Sequence, residues 1–136
     1  MNAGVLYFSR TGNTKRLAQE IAETAKMPIF DIALTEPSAV QNFDILIIGT
    51  PVEGSRPTKE TLAFIENMPN VDGKKAILFC TYRFLGSGKT FKILEKALAA
   101  KGYEIILNVC KKGIKPDKEA DFSEILNEVK KVLEKQ

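Results

Sequence analysis

Histidine is absent from this 136-residue chain, and that one absence removes many familiar routes to catalysis. Without an imidazole there is no Ser–His or Cys–His couple, no histidine metal ligand and no side chain that shuttles protons near neutral pH. An enzyme built from this chain would rely on a bound cofactor for its chemistry. Cysteine is almost as scarce. Cys80 and Cys110 show no C-x-x-C spacing, so neither dithiol nor metal chemistry is indicated; each closes an apolar run, where a reduced thiol packs as a small hydrophobe. No apolar run approaches the ~20 residues that span a bilayer. The N-terminus enters a strand directly, without the n-region and cleavage pattern of a secretory signal. The expectation is a cytoplasmic protein with no membrane partner. Neither sign of charge dominates: 20 Lys and Arg against 17 Asp and Glu leave a net +3. The two signs mix along the predicted helices, which does not indicate a continuous basic face for nucleic acid.

What is present suits one domain over residues 1–136. The chain is 44% hydrophobic, and a domain of this length buries about two-thirds of the surface its unfolded form exposes. Val5-Leu6-Tyr7-Phe8 reads as a short buried strand, and residues 15–26 place Leu17, Ala18, Ile21, Ala22 and Ala25 on one helical face. A second strand follows over 28–32, then a loop or single helical turn over 34–43. Residues 44–49, with four apolar residues in a row, form a strand buried on both faces. The loop 50–57 leads to a helix capped by Thr58, with Leu62, Ile65 and Met68 inward. A turn over 69–73, a strand over 75–80, a loop over 81–88 and a helix over 89–101 come next, the helix stopping at Gly102. The last strand is 103–110. A polar connector, 111–120, precedes a helix opened by Asp121-Phe122-Ser123-Glu124, whose stripe of Phe122, Ile125, Leu126, Val129 and Leu133 is core.

Five strands alternating with helices imply an α/β protein, an open parallel sheet covered on both faces in three α/β/α layers. No repeat, linker or low-complexity segment divides it. In such sheets ligands bind beyond the carboxyl ends of the strands, where the strand order reverses. Three loops gather at that edge: 9–14, 50–57 and 81–88.

The first loop, Ser9-Arg10-Thr11-Gly12-Asn13-Thr14, turns from strand to helix with three hydroxyls, an amide and a glycine. Such a turn aims free N–H groups and the positive end of a helix dipole at one point, where an anion is held without a cation. Simple capping needs only one such residue, and here four polar donors surround the glycine. Gly86-Ser87-Gly88-Lys89-Thr90 invites comparison with a nucleotide-triphosphate P-loop, but Arg83 occupies the motif's first glycine position. No later strand ends in an aspartate to hold magnesium. A Cys-x₅-Arg phosphatase loop fails too, because Gly86 stands six residues after Cys80.

The first loop resembles the phosphate loop of the flavodoxins, [ST]-x-T-G-x-T. Gly49-Thr50-Pro51-Val52-Glu53-Gly54 resembles their second flavin loop, and Thr81-Tyr82-Arg83-Phe84 sits where their third, aromatic loop lies. The resemblance covers the whole chain and matches the short-chain type. It implies a flavodoxin-like fold with a five-stranded parallel sheet in the order 2-1-3-4-5, non-covalent FMN binding and transfer of single electrons between redox proteins. Carried over, Ser9, Thr11, Asn13 and Thr14 would hold the phosphate with the N–H of Gly12, while Arg10 occupies a variable position facing solvent. The flavin ring would lie among Thr50, Pro51, Val52, Glu53 and Gly54 of the second loop and Thr81, Tyr82, Phe84 and Gly86 of the third. Phe84 is the first candidate to stack on the ring and Tyr82 the second. The peptide after Gly54 would accept a hydrogen bond from flavin N5–H in the one-electron-reduced state, glycine letting it turn over at little steric cost.

Two features depart from the family pattern. Val52 and Glu53 stand where an aromatic residue or methionine usually meets the ring, and the sequence pI of about 8.8 contrasts with the family's acidity. The basic character implies an acidic redox partner and a less negative low potential. An FMN-dependent oxidoreductase of the same fold, passing hydride from a nicotinamide to a quinone or other small acceptor, is the alternative. A third class is a flavin-free interaction module. Nicotinamide turnover separates the first two, and absence of bound flavin marks the third.

Overall fold

The computed structural model describes residues 2–82, 86–112 and 121–136. In chain order the elements are β1 (Ala3–Tyr7), α1 (Asn13–Ala25), β2 (Ile29–Asp31), β3 (Ile45–Glu53), β4 (Arg56–Pro57), α2 (Lys59–Glu66), β5 (Lys74–Tyr82), α3 (Ser87–Ala99), β6 (Tyr103–Lys112) and α4 (Ser123–Glu134). The long strands pair in parallel in the order β2-β1-β3-β5-β6. This is the expected five-strand order. A sixth, two-residue strand, β4, pairs antiparallel with the end of β3.

Alternation along the central strands divides the core in two, as a side-chain period of two requires. Val5, Ile45, Ile47, Ile77 and Phe79 meet Leu17 and Ile21 of α1 and Ile125 and Val129 of α4. On the other face Leu6, Leu46, Ile48 and Leu78 pack with Phe64 and Ile65 of α2 and Leu94 and Leu98 of α3. Fully burying each such side chain contributes about 1.5–3 kcal/mol. Among the described residues no helix is long and apolar enough to cross a membrane.

Element boundaries differ from the sequence reading where hydrogen bonding outruns hydrophobicity. A short 3₁₀ helix, Ile32–Leu34, takes up the end of the expected second strand, and another, Pro37–Val40, is the single helical turn expected within 34–43. The Asp31 carboxylate caps the first by accepting from Ala33 N at 2.9 Å, and buried Val40 anchors the second. The strand β3 continues past Gly49, with Thr50 and Pro51 in register with Cys80 and Thr81. Likewise β5 and β6 extend to Tyr82 and Lys112. An apolar run marks only the part of a strand that both helical layers cover, whereas the backbone ladder persists into the polar edge.

Candidate functional site

At the carboxyl edge of the sheet the first loop closes on itself. Gly12 takes φ 97° as the residue before α1. Ser9 Oγ accepts from Gly12 N at 3.1 Å and Lys15 N at 3.3 Å. Helical bonding starts with Arg16 N donating to Gly12 O at 3.0 Å. Among the described residues the N–H groups of Thr11, Asn13 and Thr14 have no acceptor, and the first turn of α1 contains no acidic side chain. Ser9 Oγ, accepting two bonds, keeps its own proton to donate. This is a donor set without a competing carboxylate, at the positive end of a helix, and its chemistry fits a phosphate.

The Thr14 side chain is interior. It is 1% exposed, and its Oγ1 lies 2.7 Å from Thr81 Oγ1. Its hydroxyl therefore faces inward and ties the start of α1 to the end of β5, because a buried hydroxyl needs a partner. One proton lies between the two oxygens, and the other is left for a further acceptor.

Thr50 is likewise interior. Fully buried, its Oγ1 donates to Pro51 O at 3.0 Å and accepts from Thr58 N at 3.3 Å and Thr61 Oγ1 at 3.2 Å. Thr58 Oγ1 caps α2 by accepting from Thr61 N. The threonine cluster thus joins the end of β3 to the start of α2, and Thr50 supports the site from beneath instead of lining it. Beyond it Val52 faces Pro57 and Glu53 faces Arg56 across a two-residue hairpin. Gly54 and Ser55 have φ 59° and 63°, the sign at both central positions that suits the right-handed strand twist. Gly86 abuts this hairpin: a Cβ there would lie 2.6 Å from Ser55 Cα, and its φ is 108°. Glycine at 86 therefore lets the start of α3 press against the second loop. Phe84 lies outside the described residues.

Arg10 is exposed, as expected, and is also tied to two carboxylates. Its Nε and Nη2 both donate to the Glu53 carboxylate, the latter at 3.2 Å, and Nη2 also donates to Glu60 Oε1 at 2.8 Å. The guanidinium lies 5.0 Å from the centre of the Phe8 ring. Arg10 thus bridges the first loop to the second and to α2. Neither Phe8 nor Glu60 stood out in the sequence. Glu60 there is only an acid in the first turn of a helix, a position the dipole already favours.

The three loops enclose a cleft of about 260 Å³, walled by Arg10, Thr11 and Asn13 from the first, Pro51, Val52 and Glu53 from the second, and Thr81 and Tyr82 from the third. Every wall residue is among those singled out in the sequence. Ser9, Gly12 and Thr14 frame the first loop, while Thr50, Gly54 and Gly86 shape the walls without lining them. Half-buried Pro51, Val52 and Tyr82 present apolar surface beside the donor loop, a combination that fits a planar ring carrying a phosphate tail.

Comparison with known proteins gives a consistent pattern. The flavodoxin domain model matches residues 4–136. A flavodoxin of Clostridium beijerinckii is 31% identical over 113 residues, covering 75% of this chain and 79% of the relative. An uncharacterized protein of Methanocaldococcus jannaschii is 30% identical over 115 residues, covering 83% and 76%. Among solved structures, oxidised flavodoxin 1 from Bacillus cereus matches with a TM-score of 0.83 at 22% identity, over 100% of this chain and 99% of that one.

Proposed function

This chain belongs to the flavodoxin family, and on that premise we propose that it binds FMN in the three-loop cleft and carries single electrons between redox proteins in the cytoplasm. The observation that carries this reading is the first loop: three N–H groups without acceptors, converging with the Ser9 hydroxyl at the start of α1. Thr11, Asn13 and Thr14 would bind the phosphate through those N–H groups, and Ser9 through its remaining proton. Bound FMN supplies the redox chemistry, taking up and releasing electrons singly.

The chain's own residues orient the cofactor and exclude water. Pro51, Val52 and Tyr82 cover the ring. The Gly54 carbonyl, at the exposed tip of the hairpin, would accept a hydrogen bond from flavin N5–H. The bond between Arg10 and Glu53 occupies the wall where the usual aromatic or methionine is missing. It supports the carrier over an FMN-dependent NAD(P)H oxidoreductase of the same fold, which needs open space for a second substrate.

The test is to add FMN to the flavin-free protein, follow quenching of flavin fluorescence, and then reduce stepwise with dithionite while recording the visible spectrum. Tight binding with a long-wavelength band at half reduction is the expected result. Bleaching directly to the two-electron-reduced state would favour the oxidoreductase, and no binding would sink the flavin reading.

A further inference from the structure

A parallel sheet with helical crossovers brings the carboxyl ends of its strands and the N-termini of the following helices to one edge, here the edge that holds the cleft. We propose that this edge is the docking face for an acidic protein: resting on the electron-carrier reading above, a redox partner whose exposed carboxylates surround its own cofactor.

The charges at this edge are unequally paired. Lys59 opens α2, Lys89 lies in the first turn of α3 and Lys112 ends β6; Arg56 lies on the β4 hairpin. All four are exposed, and none is in an ion pair among the described residues. The carboxylates that would offset them are largely engaged. Glu53 and Glu60 both bind Arg10. The Ser123 hydroxyl and N–H, the latter donating at 3.0 Å, hold the Asp121 carboxyl below the usual range, with a smaller contribution from Lys111 nearby. The helix N-termini add further positive potential. At the opposite edge Lys74 pairs with Asp44 at 3.3 Å.

The arrangement favours a protein over a nucleic acid. Its cations stand singly on separate elements, and Glu124, exposed at the start of α4, lies among them. That acid repels a continuous phosphate backbone, while the spaced cations leave places for separate carboxylates. Docking here would also bring a partner's cofactor close to the cleft that Tyr82 and Val52 wall.

The test uses an acidic plant-type [2Fe–2S] ferredoxin and a basic cytochrome c as probes of opposite charge. Electron exchange with the FMN-loaded protein is followed by stopped flow, and ferredoxin binding to loaded and flavin-free protein by amide chemical shifts. Expected are exchange with ferredoxin that slows as salt rises, shifts confined to residues 55–60, 86–90 and 110–112, and a rate lowered roughly tenfold or more at low salt by the triple variant K59E/K89E/K112E. Acids suit the first turns of α2 and α3, so this variant is expected to fold. The opposite-edge variant K101E/K135E should leave the rate unchanged. Faster exchange with cytochrome c, equal effects of the two variants, or tighter rim binding to a short DNA duplex would each overturn the docking face. If FMN binds but ferredoxin does not shift the rim, the docking face alone fails. If the rim shifts but FMN does not bind, the docking face stands and the carrier reading fails.

Discussion

Arg10 and its two carboxylates illustrate how a single side chain acquires its role from distant neighbours. Glu53 and Glu60 lie far along the chain from it, yet both bind its guanidinium. All three side chains are roughly two-fifths exposed, at 44%, 41% and 39%, so solvent screening leaves each pair with little effect on stability. The consequence is geometric: the second loop is held against the first. The two thiols contrast more sharply. Cys80 is fully buried, and burial, followed by the nearby Cys110, pushes its thiol up to about 12; Cys110 is exposed. At neutral pH an alkylating reagent is therefore expected to modify Cys110 and spare Cys80 until the protein unfolds, since the thiolate is the reactive form. Peptide mass mapping of native and denatured samples decides it, and equal labelling of both in the native state would contradict the burial. The sign of the accompanying pH effect follows. Folded Cys80 holds its proton while the unfolded thiol loses it near 9.0, so its contribution to stability falls as pH rises from about 9 toward 12.

At the scale of elements, hydroxyl bridges join parts that the hydrophobic core leaves separate. Thr14 on α1 meets Thr81 on β5, and Thr50 on β3 meets Thr61 on α2. Replacing Thr81 by Val should leave the Thr14 hydroxyl buried without a partner and lower stability by about 1–3 kcal/mol. The double variant T14V/T81V removes both hydroxyls and should recover much of that loss. Urea unfolding of the two singles and the double measures the coupling, and simple additivity would show that the bridge contributes nothing. Neither bridge was legible in the chain. The apolar runs of β1, β3 and β5 were, because burial on both faces leaves a continuous pattern. The β3–β4 hairpin was not, since its polar residues carry no period and its turn rests on the backbone of Gly54 and Ser55.

For the whole molecule the relevant quantity is charge around the cleft. A net +3 with unpaired cations on the cleft edge would favour the anionic, fully reduced form of a bound flavin. A charge about 10 Å away contributes roughly 0.4–1.7 kcal/mol at effective dielectrics of 80 to 20, on the order of tens of millivolts per charge for one electron. Arg10 and its two partners sum to a single negative charge, so the rim cations are expected to decide the sign. The low potential of the FMN-loaded protein should be less negative than that of an acidic flavodoxin, and the difference should shrink with added salt. Equilibration with dyes of known potential measures both; a potential as low as an acidic flavodoxin's would refute the expectation.

Apolar segments alternating with helical patterns settled in one dimension that this is a parallel α/β domain, and the motif of the glycine-centred first loop carried the likeness to the flavodoxin family. These properties are local, resting on the period of a helix or strand and the donors of one turn. Tertiary structure alone decided which polar side chains face the cleft and which brace it. Thr14 and Thr50 turn inward because their hydroxyls find partners in other elements, and Arg10 turns toward Glu53 and Glu60 because the hairpin brings them within reach. A hydroxyl or a charge carries no sign in the sequence of which neighbour will satisfy it; only the packed chain brings that neighbour near.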